Sequence, residues 1–169
     1  MRKFLIMVLG ILFLGSCGNN KTVEDTLNFD WQSREVKGIS MANLIQGKTY
    51  LPVYSHIYHR YDNSTFDLTI TVSIRNTSVS DSVYITKADY YNTGGEFIRH
   101  YAKKPVYLAP METIEIVIAE YDTEGGSGAN FIFEWAADSA TSAPLFEAVM
   151  ISTNGQQGLS FSTRGVSID

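Results

Sequence analysis

The chain has 169 residues, a formal charge of −5 from 18 acidic and 13 basic side chains, and 12% aromatic content. That balance counts against nucleic acid as a partner, because a basic stripe able to displace counterions from phosphates is missing. A single cysteine leaves no internal disulfide to be made, and the length suits one domain with a sizeable core.

In chain order, Arg2 and Lys3 lead into the apolar run Phe4 to Leu14, followed by Gly15-Ser16-Cys17. A basic head, an apolar middle and small residues before a cut form the layout of a secretory signal peptide. The apolar run is about eleven residues, well short of the roughly twenty that span a bilayer, so residues 1–16 read as a removable signal. A cysteine directly after the small residues resembles the lipobox of bacterial lipoproteins. The resemblance implies a diacylglycerol thioether on Cys17, cleavage before it, and acylation, for example by palmitate, of the new amino terminus. It places the protein in the bacterial cell envelope, lipid-anchored to the inner or outer membrane and facing periplasm or cell surface. Loss of Arg2 and Lys3 takes the charge to −7, so lipid and not basic side chains would hold the membrane.

Residues 17–46 read as a lipidated tether and linker, with Leu27, Phe29 and Trp31 briefly alternating so that part of it can dock on the domain. From residue 47 to 169 the periodicity is of strand type. Phe66, Leu68, Ile70, Val72 and Ile74 alternate with polar partners up to Arg75, and Asn76-Thr77-Ser78 supplies a turn. Val83 to Tyr91, Glu96 to Tyr101, Pro105 to Leu108 and Thr113 to Ala119 follow as strands. Asn130 to Ala136 puts Phe131, Phe133 and Trp135 on one face; Pro144 to Ile151 and Gly158 to Ser162 complete the set. Eight or nine short strands, with turn signals every ten or so residues and no long amphipathic helix, predict an all-β antiparallel sandwich.

The stretch Leu68 to Ile118, with Leu108-Ala109-Pro110 before its second alternating strand, resembles the Ig-like modules of bacterial envelope proteins. The region from Tyr50 to Gly165 is similar to an uncharacterised bacterial family, domain of unknown function 3124. The resemblance is carried by Leu51-Pro52-Val53-Tyr54-Ser55-His56-Ile57-Tyr58, Leu68 to Asn76, Asp122 to Phe131, Glu147 to Ile151 and Gln156 to Phe161. It implies one domain and brings no established activity.

Three sets of residues are candidates for chemistry. Tyr50, Pro52, Tyr54, His56 and Tyr58 share one parity, which in a single strand gives an aromatic-polar face suited to sugars or peptides; Pro52 points to an edge strand. An exposed sheet face explains the same pattern. In the loop Asp122 to Asn130, Asp122 and Glu124 are the oxygen ligands calcium would want, and the glycines suit an anion nest or simply a tight crossover. Ser127, between Gly126 and Gly128, has the residue type of a nucleophile but lacks the full elbow pattern, which here ends in alanine. His56, His59 and His100 are not spaced as a strand-borne metal site, so no cofactor is expected. The leading expectation is therefore a non-enzymatic binding or scaffold module with an envelope protein or glycan partner. A small-ligand, glycan or calcium binder is the first alternative, and a serine hydrolase on Ser127 is the second.

Overall fold

The computed structural model describes residues 29–38, 40–153 and 158–169. The signal segment, Cys17, the tether up to residue 28, and Gln156 and Gln157 lie outside the described residues.

Among the described residues twelve strands form, more than the eight or nine expected: β1 Ile45–Val53, β2 His56–His59, β3 Tyr61–Asp67, β4 Thr69–Arg75, β5 Val83–Tyr91 and β6 Phe97–Ala102 in the first half. They are followed by β7 Val106–Leu108, β8 Thr113–Ile118, β9 Ala129–Ala137, β10 Leu145–Ser152, β11 Leu159–Arg164 and β12 Val166–Ile168. All pairings are antiparallel. The larger sheet has the order β12-β1-β9-β5-β6, with β7 also on β5; the smaller is β11-β10-β4-β8; β2 and β3 pair only with each other. Among the described residues there is no α-helix, only 3-10 turns.

The two larger sheets pack face to face. From the smaller, Ile70, Val72, Ile74, Ile114, Ile116, Ile118, Phe146, Ala148 and Met150 are buried; from the larger, Leu51, Val53, Val83, Ile85, Phe131 and Phe133. Each large apolar side chain so buried contributes about 1.5–3 kcal/mol. A file of rings runs through the middle. Tyr90 stacks on Phe131 at 4.8 Å, Phe131 on Phe133 at 5.3 Å, and Phe133 meets Phe146 of the opposite sheet at 4.5 Å.

Two boundaries differ from the periodicity. The long alternating run is cut at Leu68, because β3 belongs to the β2–β3 hairpin while β4 belongs to the smaller sheet. β1 begins at Ile45, across the expected domain start at 47. The linker is also partly folded: Phe29 and Trp31 pack against the core, Val36 N–H donates to Pro105 O, and Arg34 pairs with Glu112 at 2.6 Å. In β5 the register shifts at Thr86, so buried positions pass from Val83 and Ile85 to Ala88 and Tyr90. That bulge turns Lys87, Asp89 and Tyr91 to the outer face.

Candidate functional site

The aromatic-polar strip does not survive as one strand. β1 ends at Val53 and β2 begins at His56, and the residue between them that reorganises the chain is Ser55. Fully buried, Ser55 donates its N–H to Gly126 O (2.9 Å), accepts Leu68 N–H on its carbonyl (2.8 Å), and shares a 3.0 Å hydrogen bond between its hydroxyl and that of Tyr90. Ser55 and Leu68 thus close the root of the β2–β3 hairpin, which joins neither larger ladder but packs on the core through Ile57. Pro52 lies beyond the reach of β12, which pairs only with Lys48 to Tyr50. There the Pro52 carbonyl accepts the Thr163 hydroxyl of β11 at 2.6 Å, and the imide, which donates nothing, breaks no ladder bond.

On this framework the sequence candidates separate. Tyr54 is half-buried and packs edge-on against Phe161 at 5.6 Å. His56 and Tyr58 stay together on the hairpin, their rings 5.9 Å apart. Tyr58 is 58% exposed and Tyr61, which sequence reasoning passed over, is 70% exposed. His59 stacks flat on Phe66 at 3.9 Å and bonds Ser64 through Nε2. Arg60 turns the hairpin with φ +62°, a left-handed conformation that costs a non-glycine residue about 1 kcal/mol.

The loop from Asp122 to Asn130 is a tight crossover with most of its polar backbone used internally. Thr93 donates both N–H and hydroxyl to Gly125 O, and accepts Gly128 N–H on the same hydroxyl oxygen. Gly125 is required by close approach: a Cβ there would fall 1.9 Å from the Tyr90 hydroxyl oxygen. Asp122 and Glu124 both face Arg99, whose Nη1 lies 2.8 Å from Asp122 and Nη2 2.5 Å from Glu124. A calcium ion bound between the two carboxylates would compete with that guanidinium for them. Arg99 also lies over the Tyr90 ring at 5.8 Å. Beside it, burial pushes the Tyr101 hydroxyl up to about 12, with Arg99 pulling the other way. Half-buried Ser127 has no bond to any of the three histidines among the described residues: His59 bonds Ser64, His100 bonds Asp89, and His56 meets Tyr58.

A third cluster lies on the outer face of the larger sheet. Asp89, only 2% exposed, accepts His100 Nδ1–H at 2.6 Å, pairs with Lys87 Nζ at 3.0 Å and accepts the Tyr91 hydroxyl at 3.4 Å. Its hydrogen bond and charge hold the Lys87 ammonium above its ordinary range. Among the described residues no group of three or more His, Cys, Asp or Glu is arranged to hold a metal ion.

A family described as protein of unknown function (DUF3124) matches residues 46–168. The chain belongs to that family. No curated protein matches it. Among solved structures, a crystal structure of Thermotoga maritima 1070 is similar, at 10% identity and a TM-score of 0.45 over 71% of this chain and 92% of that one. In this DUF3124 chain, then, His56 and Tyr58 share the hairpin, Asp122 and Glu124 share Arg99, Tyr54 packs on Phe161, and Ser127 lies in the turn beside β2. Sequence reasoning missed Arg99, Asp89 and Ser55 because each acts only through a neighbour brought by the β5–β6 register or the hairpin root.

Proposed function

We propose that this DUF3124 chain is a lipid-anchored, non-enzymatic binding module of the bacterial envelope, an Ig-like sandwich held to the membrane through Cys17. The observation that carries the reading is the β2–β3 hairpin. It makes no ladder with either larger sheet, rests on the core through Ile57, is fixed at its root by Ser55, and presents Tyr58 and Tyr61 to solvent. A two-stranded ribbon is only marginally stable alone, so the hydrogen bonds at Ser55 and the His59–Phe66 stack are what keep its aromatic display in one place. Tyrosine joins a large ring to a hydroxyl at small entropic cost, which is why it is enriched where proteins meet partners. The partner class this favours is another envelope protein that covers the two rings.

A photo-crosslinking residue placed at Tyr61 in living cells tests the reading, with the same residue at Thr71 on the smaller sheet as control. A discrete adduct from Tyr61 and none from Thr71 supports it. No adduct at Tyr61, or the same adducts from both positions, overturns it. The calcium alternative is weakened by Arg99 between Asp122 and Glu124, and the hydrolase alternative by the absence of a histidine on Ser127.

A further inference from the structure

At the end of β1 opposite the hairpin, Gly47 pairs with Trp135 of β9. The indole lies so close to Gly47 that a Cβ there would fall 2.4 Å from Cζ2. Its Nε1–H donates to Thr49 Oγ1 at 3.2 Å, which fixes the ring's orientation. Nearby the chain crosses from the smaller sheet to the larger, where Gly165, between β11 and β12, donates its N–H to Phe146 O. A cavity of about 340 Å³ opens at this seam, lined by Thr49, Thr77, Trp135, Pro144, Arg164 and Ser167 among others. A second, of about 260 Å³, reaches Trp135 from the side of Lys48 and Glu134. The first is at the lower end of the range for small-molecule sites, which run from about 300 to 1,000 Å³.

The charges around it narrow the occupant. Arg34, Arg75 and Arg99 each pair with a carboxylate. Among the described residues, Arg164 makes no such ion pair, although Glu147 lies opposite it in the β10–β11 register; it is exposed, and it lines the cavity with three hydroxyl-bearing side chains and an indole. An unpaired guanidinium suits a carboxylate, which it can hold through two parallel hydrogen bonds. The indole offers a flat apolar wall, and Thr49, Thr77 and Ser167 offer hydroxyls at its edge.

We propose that the cavity beside Trp135 binds a sugar ring bearing a carboxylate, the indole facing the ring, Arg164 facing the carboxylate and the hydroxyl side chains facing the ring hydroxyls. This site is separate from the hairpin and independent of the anchor, so loss of either earlier reading leaves it standing.

The test uses the full chain in detergent with Trp31→Phe, which leaves Trp135 as its only indole. Its fluorescence is followed against D-glucuronate, D-glucose, benzoate and acetate, and circular dichroism confirms that each variant keeps the sheet signal. The expected result is a saturable change with glucuronate, weaker binding of glucose and benzoate, and none with acetate. Arg164→Gln should weaken glucuronate by about tenfold or more, the worth of one charge-assisted contact, and leave glucose unchanged. No saturable change, an equal response to acetate, benzoate bound as tightly as glucuronate, or an indifferent Arg164→Gln would each overturn the proposal.

Discussion

The hydrogen bond between Ser55 and Tyr90 makes the sharpest energetic prediction, because both side chains are fully buried and the oxygens are 3.0 Å apart. Tyr90→Phe keeps the ring, its stack on Phe131 and its place beneath Arg99, and removes only the hydroxyl. Ser55 Oγ is then left without a partner in a dry site, at a cost of about 1–3 kcal/mol. Ser55→Ala leaves the Tyr90 hydroxyl in the same position, at a similar cost. The double variant removes both polar groups, so its loss should be smaller than the sum by about 1–2 kcal/mol. For a domain of this size each kcal/mol corresponds to about 3–5 °C in Tm. Urea unfolding followed by circular dichroism and thermal melts of the three variants measure the cycle. Single variants within about 0.3 kcal/mol of wild type, or strictly additive losses, would refute the claim that this bond fastens the hairpin root.

Asn76 gives a second test. Its Nδ2 donates to the carbonyls of Asp81, Leu108 and Ala109, so Asn76→Asp should destabilise more than Asn76→Ala by urea unfolding, since a carboxylate would face three acceptors. Alkaline pH is the third. The folded state holds the Tyr101 proton to about 12 while the unfolded chain releases it near 10, the ordinary value for tyrosine. The folded state therefore carries more protons across that window, and stability present below pH 10 should fall as pH rises towards 12. Tyr101→Phe should flatten part of that fall in urea midpoints measured across the window. The fourth concerns calcium: millimolar calcium should not move the wild-type Tm, whereas Arg99→Ala, which leaves Asp122 and Glu124 facing each other, should melt lower and recover part of the loss with calcium.

Strand character was legible wherever one face is core and the other is wet, as in Ile70, Val72 and Ile74 or Ile114, Ile116 and Ile118, because a period of two permits no helix. What alternation cannot carry is a change of sheet. Phe66 to Arg75 keeps its pattern through Leu68 even though the chain leaves the hairpin there, since Leu68 remains buried across the break. The bulge at Thr86 is hidden for a related reason: one extra residue exchanges the two faces without changing composition. Tyr50 to Tyr58 reads as one strip only while Ser55 is taken for an ordinary position within a single strand. Its backbone and hydroxyl contacts come from Gly126, Leu68 and Tyr90, which are distant in sequence. Asp122 and Glu124 were visible as acidic residues, but Arg99, which turns them from ion ligands into an ion pair network, lies on another strand. The candidate residues were thus readable by type, and their roles became readable only with the register.

Membrane attachment through Cys17 is the claim on which the proposed function rests, and metabolic labelling with radioactive palmitate tests it most directly. Wild-type chain should take up label and sediment with membranes, while Cys17→Ser should be unlabelled and leave the membrane fraction. An unlabelled wild type, or label and membrane association unchanged in Cys17→Ser, would contradict it.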